Sequence, residues 1–84
     1  MVYADGSVYV GEFSNNIPHG IGELEYVNKD KYKGQFHEAM KWGNGNYFYA
    51  EGTVFSGRWE EDNKIEGELI LFNGDTFKGT FRNN

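Results

Sequence analysis

The sequence predicts an all-β fold, a short array of stacked antiparallel β-hairpins, and three observations predict it. A five-residue unit with an aromatic ring, glycine and a second ring at alternate positions recurs at intervals of 23, 23 and 22 residues. A second, glycine-bearing unit keeps step with the first, and short turn signals separate the two. Self-similarity at a fixed period of about 20–50 residues is the mark of repeat architectures, in which neighbouring copies supply each other's core.

The first unit reads Tyr9-Val10-Gly11-Glu12-Phe13, then Tyr32-Lys33-Gly34-Gln35-Phe36, Phe55-Ser56-Gly57-Arg58-Trp59 and Phe77-Lys78-Gly79-Thr80-Phe81. Alternation with period two puts Tyr9, Gly11 and Phe13 on one face of a strand and Val10 and Glu12 on the other. The second unit, Gly20-Ile21-Gly22-Glu23-Leu24-Glu25-Tyr26, returns as Gly43-Asn44-Gly45-Asn46-Tyr47-Phe48-Tyr49. It returns again, weakened, as Ile65-Glu66-Gly67-Glu68-Leu69-Ile70-Leu71, where the first glycine is lost and a single deletion precedes the unit. Met1-Val2-Tyr3 reads as the tail of an earlier copy. One array is therefore expected over residues 1–84: a partial repeat at 1–8, repeats at 9–31, 32–54 and 55–76, and a partial repeat at 77–84.

Asp5-Gly6-Ser7, Asn28-Lys29-Asp30, Glu51-Gly52-Thr53 and Asn73-Gly74-Asp75 read as hairpin turns, three of the four supplying a glycine for positive φ. The connections from Ser14 to His19, His37 to Trp42 and Glu60 to Lys64 read as longer polar loops. No segment carries a helical period.

Pairing each hairpin symmetrically about its turn sets Leu24 opposite Gly34 and Gly22 opposite Phe36, Tyr47 opposite Gly57 and Gly45 opposite Trp59, and Leu69 opposite Gly79 and Gly67 opposite Phe81. Bulky side chains then face glycines in a checkerboard. Glycine within a strand costs roughly 0.5–1 kcal/mol, so regular placement of Gly11, Gly22, Gly34, Gly45, Gly57, Gly67 and Gly79 needs a compensating gain. Room for an opposing ring supplies it, since cross-strand aromatic pairs stabilise beyond the area they bury.

Composition narrows the function. An apolar share of 38% beside an aromatic share of 18%, without cysteine, excludes a large globular interior, a disulfide staple and thiolate metal chemistry. The lack of thiols fits a reducing compartment, so a cytoplasmic location is expected. Thirteen acidic residues mixed among eight basic ones give a net charge of −5, which disfavours nucleic acid. Apolar runs no longer than four residues, as in Leu69-Ile70-Leu71-Phe72, disfavour a membrane span, and Met1-Val2-Tyr3-Ala4-Asp5-Gly6 lacks the charged start and apolar run of a signal peptide.

These residues resemble the MORN (membrane occupation and recognition nexus) repeat, whose hallmark is an aromatic-x-Gly-x-aromatic strand, a polar turn ending near His-Gly and a Gly-x-Gly strand. Pro18-His19-Gly20-Ile21-Gly22 fits it, and the likeness covers essentially the whole chain. The departures are Glu60-Glu61-Asp62-Asn63-Lys64-Ile65 in the third copy and Ala39-Met40-Lys41-Trp42 in the second. The resemblance implies one elongated, twisted antiparallel sheet with a groove along one side. It also implies a role as scaffold in cilia or other cytoskeletal structures, as membrane-junction tether, or as appendage of an enzyme such as a lipid kinase or lysine methyltransferase.

The candidate partner-binding residues are the row Phe13, Phe36, Trp59 and Phe81 together with Tyr9, Tyr32 and Phe55. Most of these rings are expected to pack against their neighbours in the stack, while an exposed aromatic row rimmed by charge at Phe13, Phe36, Trp59 and Phe81 would take an amphipathic helix or extended peptide. Glu12, Glu23, Glu25, Lys33, Arg58, Glu66, Glu68 and Lys78 read as a solvated opposite face, interrupted by Phe48, Ile70 and Phe72. His19 and His37 lie at no spacing that predicts one shared metal. The Glu60-Glu61-Asp62-Asn63 run reads as a solvated turn. Neither the same-face carboxylate pairs Glu23 with Glu25 and Glu66 with Glu68 nor Ser7, Ser14 and Ser56 form a catalytic constellation, so no catalytic residue, cofactor or metal is expected.

The expected function is a non-catalytic scaffold or protein–protein interaction module within a cytoplasmic, cytoskeletal or ciliary (axonemal) assembly. Open strand edges at both ends are expected either because the chain is a piece of a longer array or because its ends add strands to a neighbour, a second copy or another repeat protein. The rivals are a peripheral module for anionic phospholipids, disfavoured by net charge, and an accessory subunit of an enzyme.

Overall fold

A computed structural model describes residues 1–81. Seven strands form a single open sheet in chain order, each antiparallel to the next: β1 (Val8–Ser14), β2 (Ile17–Glu25), β3 (Lys31–His37), β4 (Met40–Phe48), β5 (Val54–Glu60), β6 (Asn63–Ile70) and β7 (Thr76–Thr80). The molecule is elongated, 39 × 22 × 19 Å, and the described residues contain no helix. Met1–Tyr3 lies against β1 through an isolated bridge, Val2 to Val8, flanked by hydrogen bonds between Met1 and Tyr9 and from Tyr3 N to Ser7 O. Residues 82–84, the end of the expected last partial repeat, lie outside the described residues.

Two kinds of turn alternate along the meander. Those linking β2 to β3, β4 to β5 and β6 to β7 share one construction, repeated before β1. In the first of them Lys29 N donates to Tyr26 O (3.0 Å) and Tyr26 N to Asp30 O (2.8 Å), enclosing a three-residue loop. The last loop residue takes positive φ: Gly6 (96°), Lys29 (80°), Gly52 (110°) and Gly74 (96°). A side-chain oxygen two residues upstream caps the strand that follows: Asp5 accepts from Ser7 N, Asn28 from Asp30 N, Glu51 from Thr53 N and Asn73 from Asp75 N. Left-handed backbone is costly for a side chain with a Cβ, and lysine alone among the four bears that cost. Lys29→Gly is therefore expected to stabilise the array by about 0.5–1 kcal/mol, glycine's greater unfolded-state freedom offsetting part of the gain. A thermal melt should show a Tm higher by several degrees.

This turn corrects the expected checkerboard. Its centre is Asn28, one residue earlier than symmetric pairing assumed, so every partner moves by two: Leu24 pairs with Tyr32, Gly22 with Gly34 and Gly20 with Phe36. The same holds for Tyr47 with Phe55, Gly45 with Gly57 and Gly43 with Trp59, and for Leu69 with Phe77 and Gly67 with Gly79. Glycine faces glycine. Since Gly11 pairs with Gly22, Gly34 with Gly45 and Gly57 with Gly67, all seven structural glycines fall in one unbroken row across the sheet.

The expected longer loops are also corrected. Asn15-Asn16, Glu38-Ala39 and Glu61-Asp62 make two-residue turns with φ between 50° and 69° at both positions, the mirror-image geometry that matches strand twist. The residues read as loop instead extend β2, β4 and β6 past a bulge. Between the pairs Gly11–Gly22 and Phe13–Pro18, β1 has one residue and β2 has three. Gly20 (φ 96°) and its counterpart Gly43 (φ 72°) bend the chain there. The Glu12 and Gln35 side chains reach across to accept from Ile21 N (2.6 Å) and Asn44 N (2.7 Å). In the third repeat the deletion falls within this bulge: Trp59 pairs with Lys64 directly after Arg58 with Glu66, leaving only Ile65 extra. No glycine is needed, and Arg58 makes an ion pair with Glu66 (2.9 Å) instead.

Candidate functional site

The ring-bearing face is built on the glycine row. A Cβ on Gly22 would come within 2.5 Å of Cε1 and Cζ of the Tyr9 ring, and one on Gly45 would overlap the Tyr32 hydroxyl and come within 2.6 Å of its Cε1. The rings thus lie diagonally over glycine pairs rather than directly opposite single glycines. Their hydroxyls end at the bulges, where Tyr9 donates to Glu12 O (2.7 Å) and Tyr32 to Gln35 O (2.9 Å).

Over that floor the seven candidate rings form a continuous edge-to-face ladder, Phe13–Tyr9–Phe36–Tyr32–Trp59–Phe55–Phe81. Centroids lie 5.0–5.4 Å apart and planes 84–88° apart at every step. This is the favoured arrangement of ring quadrupoles, and it replaces a two-layer core. Tyr9, Tyr32, Phe36, Phe55 and Trp59 are each at most 4% exposed. The exposed row expected from the sequence is thereby corrected at Phe36 and Trp59. Phe13 is exposed and Phe81 half-buried.

Pairwise spacing of rings and glycines leaves lysines out of account, yet two of them complete this face. Lys41 Nζ stands 5.3–5.9 Å from the centroids of Trp59, Tyr26, Tyr32 and Tyr47, a distance at which ring faces attract a cation. It donates to the Tyr26 hydroxyl (3.0 Å) and pairs with Asp62 (3.3 Å), whose carboxylate also accepts from Lys41 N (2.7 Å). Asp62 thus has a partner, where the carboxylate run had read as a solvated turn. Lys64 repeats the arrangement against Tyr49, Phe55 and Trp59 (5.2–5.9 Å) and donates to the Tyr49 hydroxyl. The signal was present in the sequence, as both lysines occupy one repeat position, 23 residues apart.

Burial sets the acid–base behaviour of this face. It pushes the hydroxyls of Tyr3, Tyr9, Tyr32 and Tyr47 above the ordinary tyrosine range, and for Tyr47 a hydrogen bond donated to Asp30 (2.8 Å) adds to the effect. A raised folded-state value favours the protonated fold. The stabilisation is therefore complete below the unfolded value of about 10 and is lost as pH rises above it. The melting temperature should hold to about pH 9 and fall steeply by about pH 11. Tyrosinate absorbance of the buried rings should appear together with unfolding.

The groove expected along one side lies on this face. Its volume is about 520 Å³, and Tyr3, Leu24, Tyr26 and Phe36 give it an apolar floor with Asp5, Lys41 and Asp62 among its walls. On the opposite face Lys31–Glu23 (3.3 Å) and Arg58–Glu66 (2.9 Å) form exposed pairs of the kind that contribute little to stability. Ile70 is exposed there too, and Phe72 is exposed in the loop that follows β6. The two imidazoles do meet, with centroids 5.0 Å apart, because β2 and β3 set His19 beside His37. Among the described residues no group of three or more His, Cys, Asp or Glu is placed to hold a metal ion.

A family model of the MORN repeat matches residues 9–31 and 32–54. Alsin of Rattus norvegicus is 39% identical over 77 residues, covering 86% of this chain and 5% of alsin, and alsin of Homo sapiens is 38% identical over the same length. The inactive protein tyrosine kinase pTKL of Plasmodium berghei (strain Anka) is 32% identical over 62 residues, 69% of this chain and 5% of that protein. The chain spans about 5% of the length of the curated relatives it matches.

Proposed function

The chain belongs to the MORN repeat family, whose repeats serve generally as modules of protein or membrane interaction, and we propose that this array is a non-catalytic binding module for a partner protein. A helix or an extended segment of that partner lies along the ring-bearing face. The single observation that carries this reading is the groove of about 520 Å³, with its apolar floor and its carboxylate and ammonium walls. Its size lies within the range of about 300–1,000 Å³ of concave sites that bury a ligand against apolar side chains and a few placed polar groups. The ladder beneath it is packed by the chain itself, so the floor is rigid and little ordering is required on binding.

The chain's net charge of −5 supports a protein over an anionic lipid surface, because basic residues attract such a surface only when they outnumber acids locally. Lys31, Lys41 and Arg58 are each paired with a carboxylate. A cytoplasmic setting, within a cytoskeletal or ciliary scaffold or beside an enzyme, belongs to the same proposal.

A photo-crosslinking amino acid placed at Tyr26, in the groove, and at Val10, exposed on the other face, tests it. In native extract the Tyr26 position should give cross-links to defined segments of protein and the Val10 position should not. Equal labelling from both faces, or retention by phosphatidylserine vesicles in place of protein cross-links, would overturn the reading.

A further inference from the structure

The groove is the first of three equivalent cages. Stepping back 23 residues from the rings around Lys41, Tyr26 becomes Tyr3, Tyr32 becomes Tyr9, Tyr47 becomes Leu24 and Trp59 becomes Phe36. Three of the four, Tyr3, Leu24 and Phe36, line the groove. The same step takes Lys41 to Pro18 and Asp62 to Ala39. The backbone has not changed: Ala39 N donates to Pro18 O (2.9 Å) as Asp62 N does to Lys41 O (3.1 Å). Pro18 pairs with Phe13 as Lys41 pairs with Phe36 and Lys64 with Trp59. What differs is the cation. The second and third cages are filled by the chain's own lysines, whereas the first has a buried proline whose ring cannot extend as a lysine does.

We propose that the first cage takes a basic side chain, lysine or arginine, from the partner segment that the groove receives. The proposal rests on the groove being a protein-binding site and specifies the chemistry of the anchor. The ring faces of Tyr3 and Phe36 provide the negative quadrupole that Tyr26 and Trp59 provide to Lys41. Asp5 and Asp62 stand at the walls, and Lys41 offsets only one of these two carboxylates. A cation entering the groove therefore meets net negative charge, as the balance of the whole chain also favours.

The test is selection of a random nonapeptide library on the 84-residue chain. Enriched peptides should share a lysine or arginine at one position, and replacing it with norleucine, of similar shape but uncharged, should weaken binding about tenfold or more. Binding should weaken between about 50 and 500 mM NaCl. Pro18→Lys combined with Ala39→Asp rebuilds the cage found at Lys41 and should abolish binding. Tyr3→Ala, which removes no ring of the ladder itself, should weaken it. Peptides that cross-link at Tyr26 but tolerate norleucine, or that bind the rebuilt cage undiminished, would overturn the cation subsite and leave the groove reading standing. Enrichment of no peptide, with no cross-link at Tyr26, would overturn both.

Discussion

Gly45→Val is expected to leave the chain without a stable fold, and Gly45→Ala to destabilise it by about 3–5 kcal/mol. The position is extended, so the backbone tolerates a side chain, and the whole effect is steric. A Cβ there would overlap the Tyr32 hydroxyl and Cζ. Tyr32 is fully buried, held by Gln35 O and by Phe36 and Trp59 on its two sides, and has nowhere to go. Overpacking alone costs about 1–3 kcal/mol, and ejecting a buried ring costs about 3–5 kcal/mol. Domains of this size have roughly 4–13 kcal/mol in total, so valine, with two further methyl groups, exceeds what the array can absorb. Urea denaturation of both variants measures the effect.

Trp59→Ala should cost about 3–5 kcal/mol, the usual range for a buried aromatic. It removes the rung joining Tyr32 (5.4 Å) to Phe55 (5.3 Å), the hydrogen bond from its Nε1 to Gly45 O (3.2 Å), and one wall of both lysine cages. Phe13→Ala, at the exposed end of the ladder, should cost under about 1 kcal/mol. The contrast matters because both residues belong to the same expected partner row. Loss of a partner in Trp59→Ala reports loss of fold, whereas variants at Tyr3 and Tyr26 probe the groove with the ladder in place.

Much of this architecture was legible in the sequence. Ring-glycine-ring spacing located every first strand, and the 23-residue interval located the second strands. The expected principle, glycine making room for a ring, describes the site correctly at Gly22 and Gly45. Register was not legible, because it hangs on one backbone angle. A glycine-containing turn can centre on either of two residues, and only the positive φ at Lys29 and its three glycine counterparts places it. The tight turns at Asn15-Asn16, Glu38-Ala39 and Glu61-Asp62 were hidden because none carries the glycine that usually betrays them. With those segments read as loops, Lys41, Lys64 and Asp62 had no strand to sit on, and the cages they complete could not be seen. The burial of Phe36 and Trp59 follows from the ladder, a three-dimensional closure that a strand-by-strand reading of faces does not contain.

The central claim is that the glycine row exists to seat the rings. A double-mutant cycle between Gly45→Ala and Tyr32→Leu tests it most directly, because leucine lacks the hydroxyl, Cζ and Cε1 atoms that a Cβ at Gly45 would strike. The two substitutions should be far from additive: alanine at position 45 should cost at least about 1.5 kcal/mol less when Tyr32 is leucine than when it is tyrosine. Additivity within about 0.5 kcal/mol would show that the glycine is required for some other reason and would contradict the account.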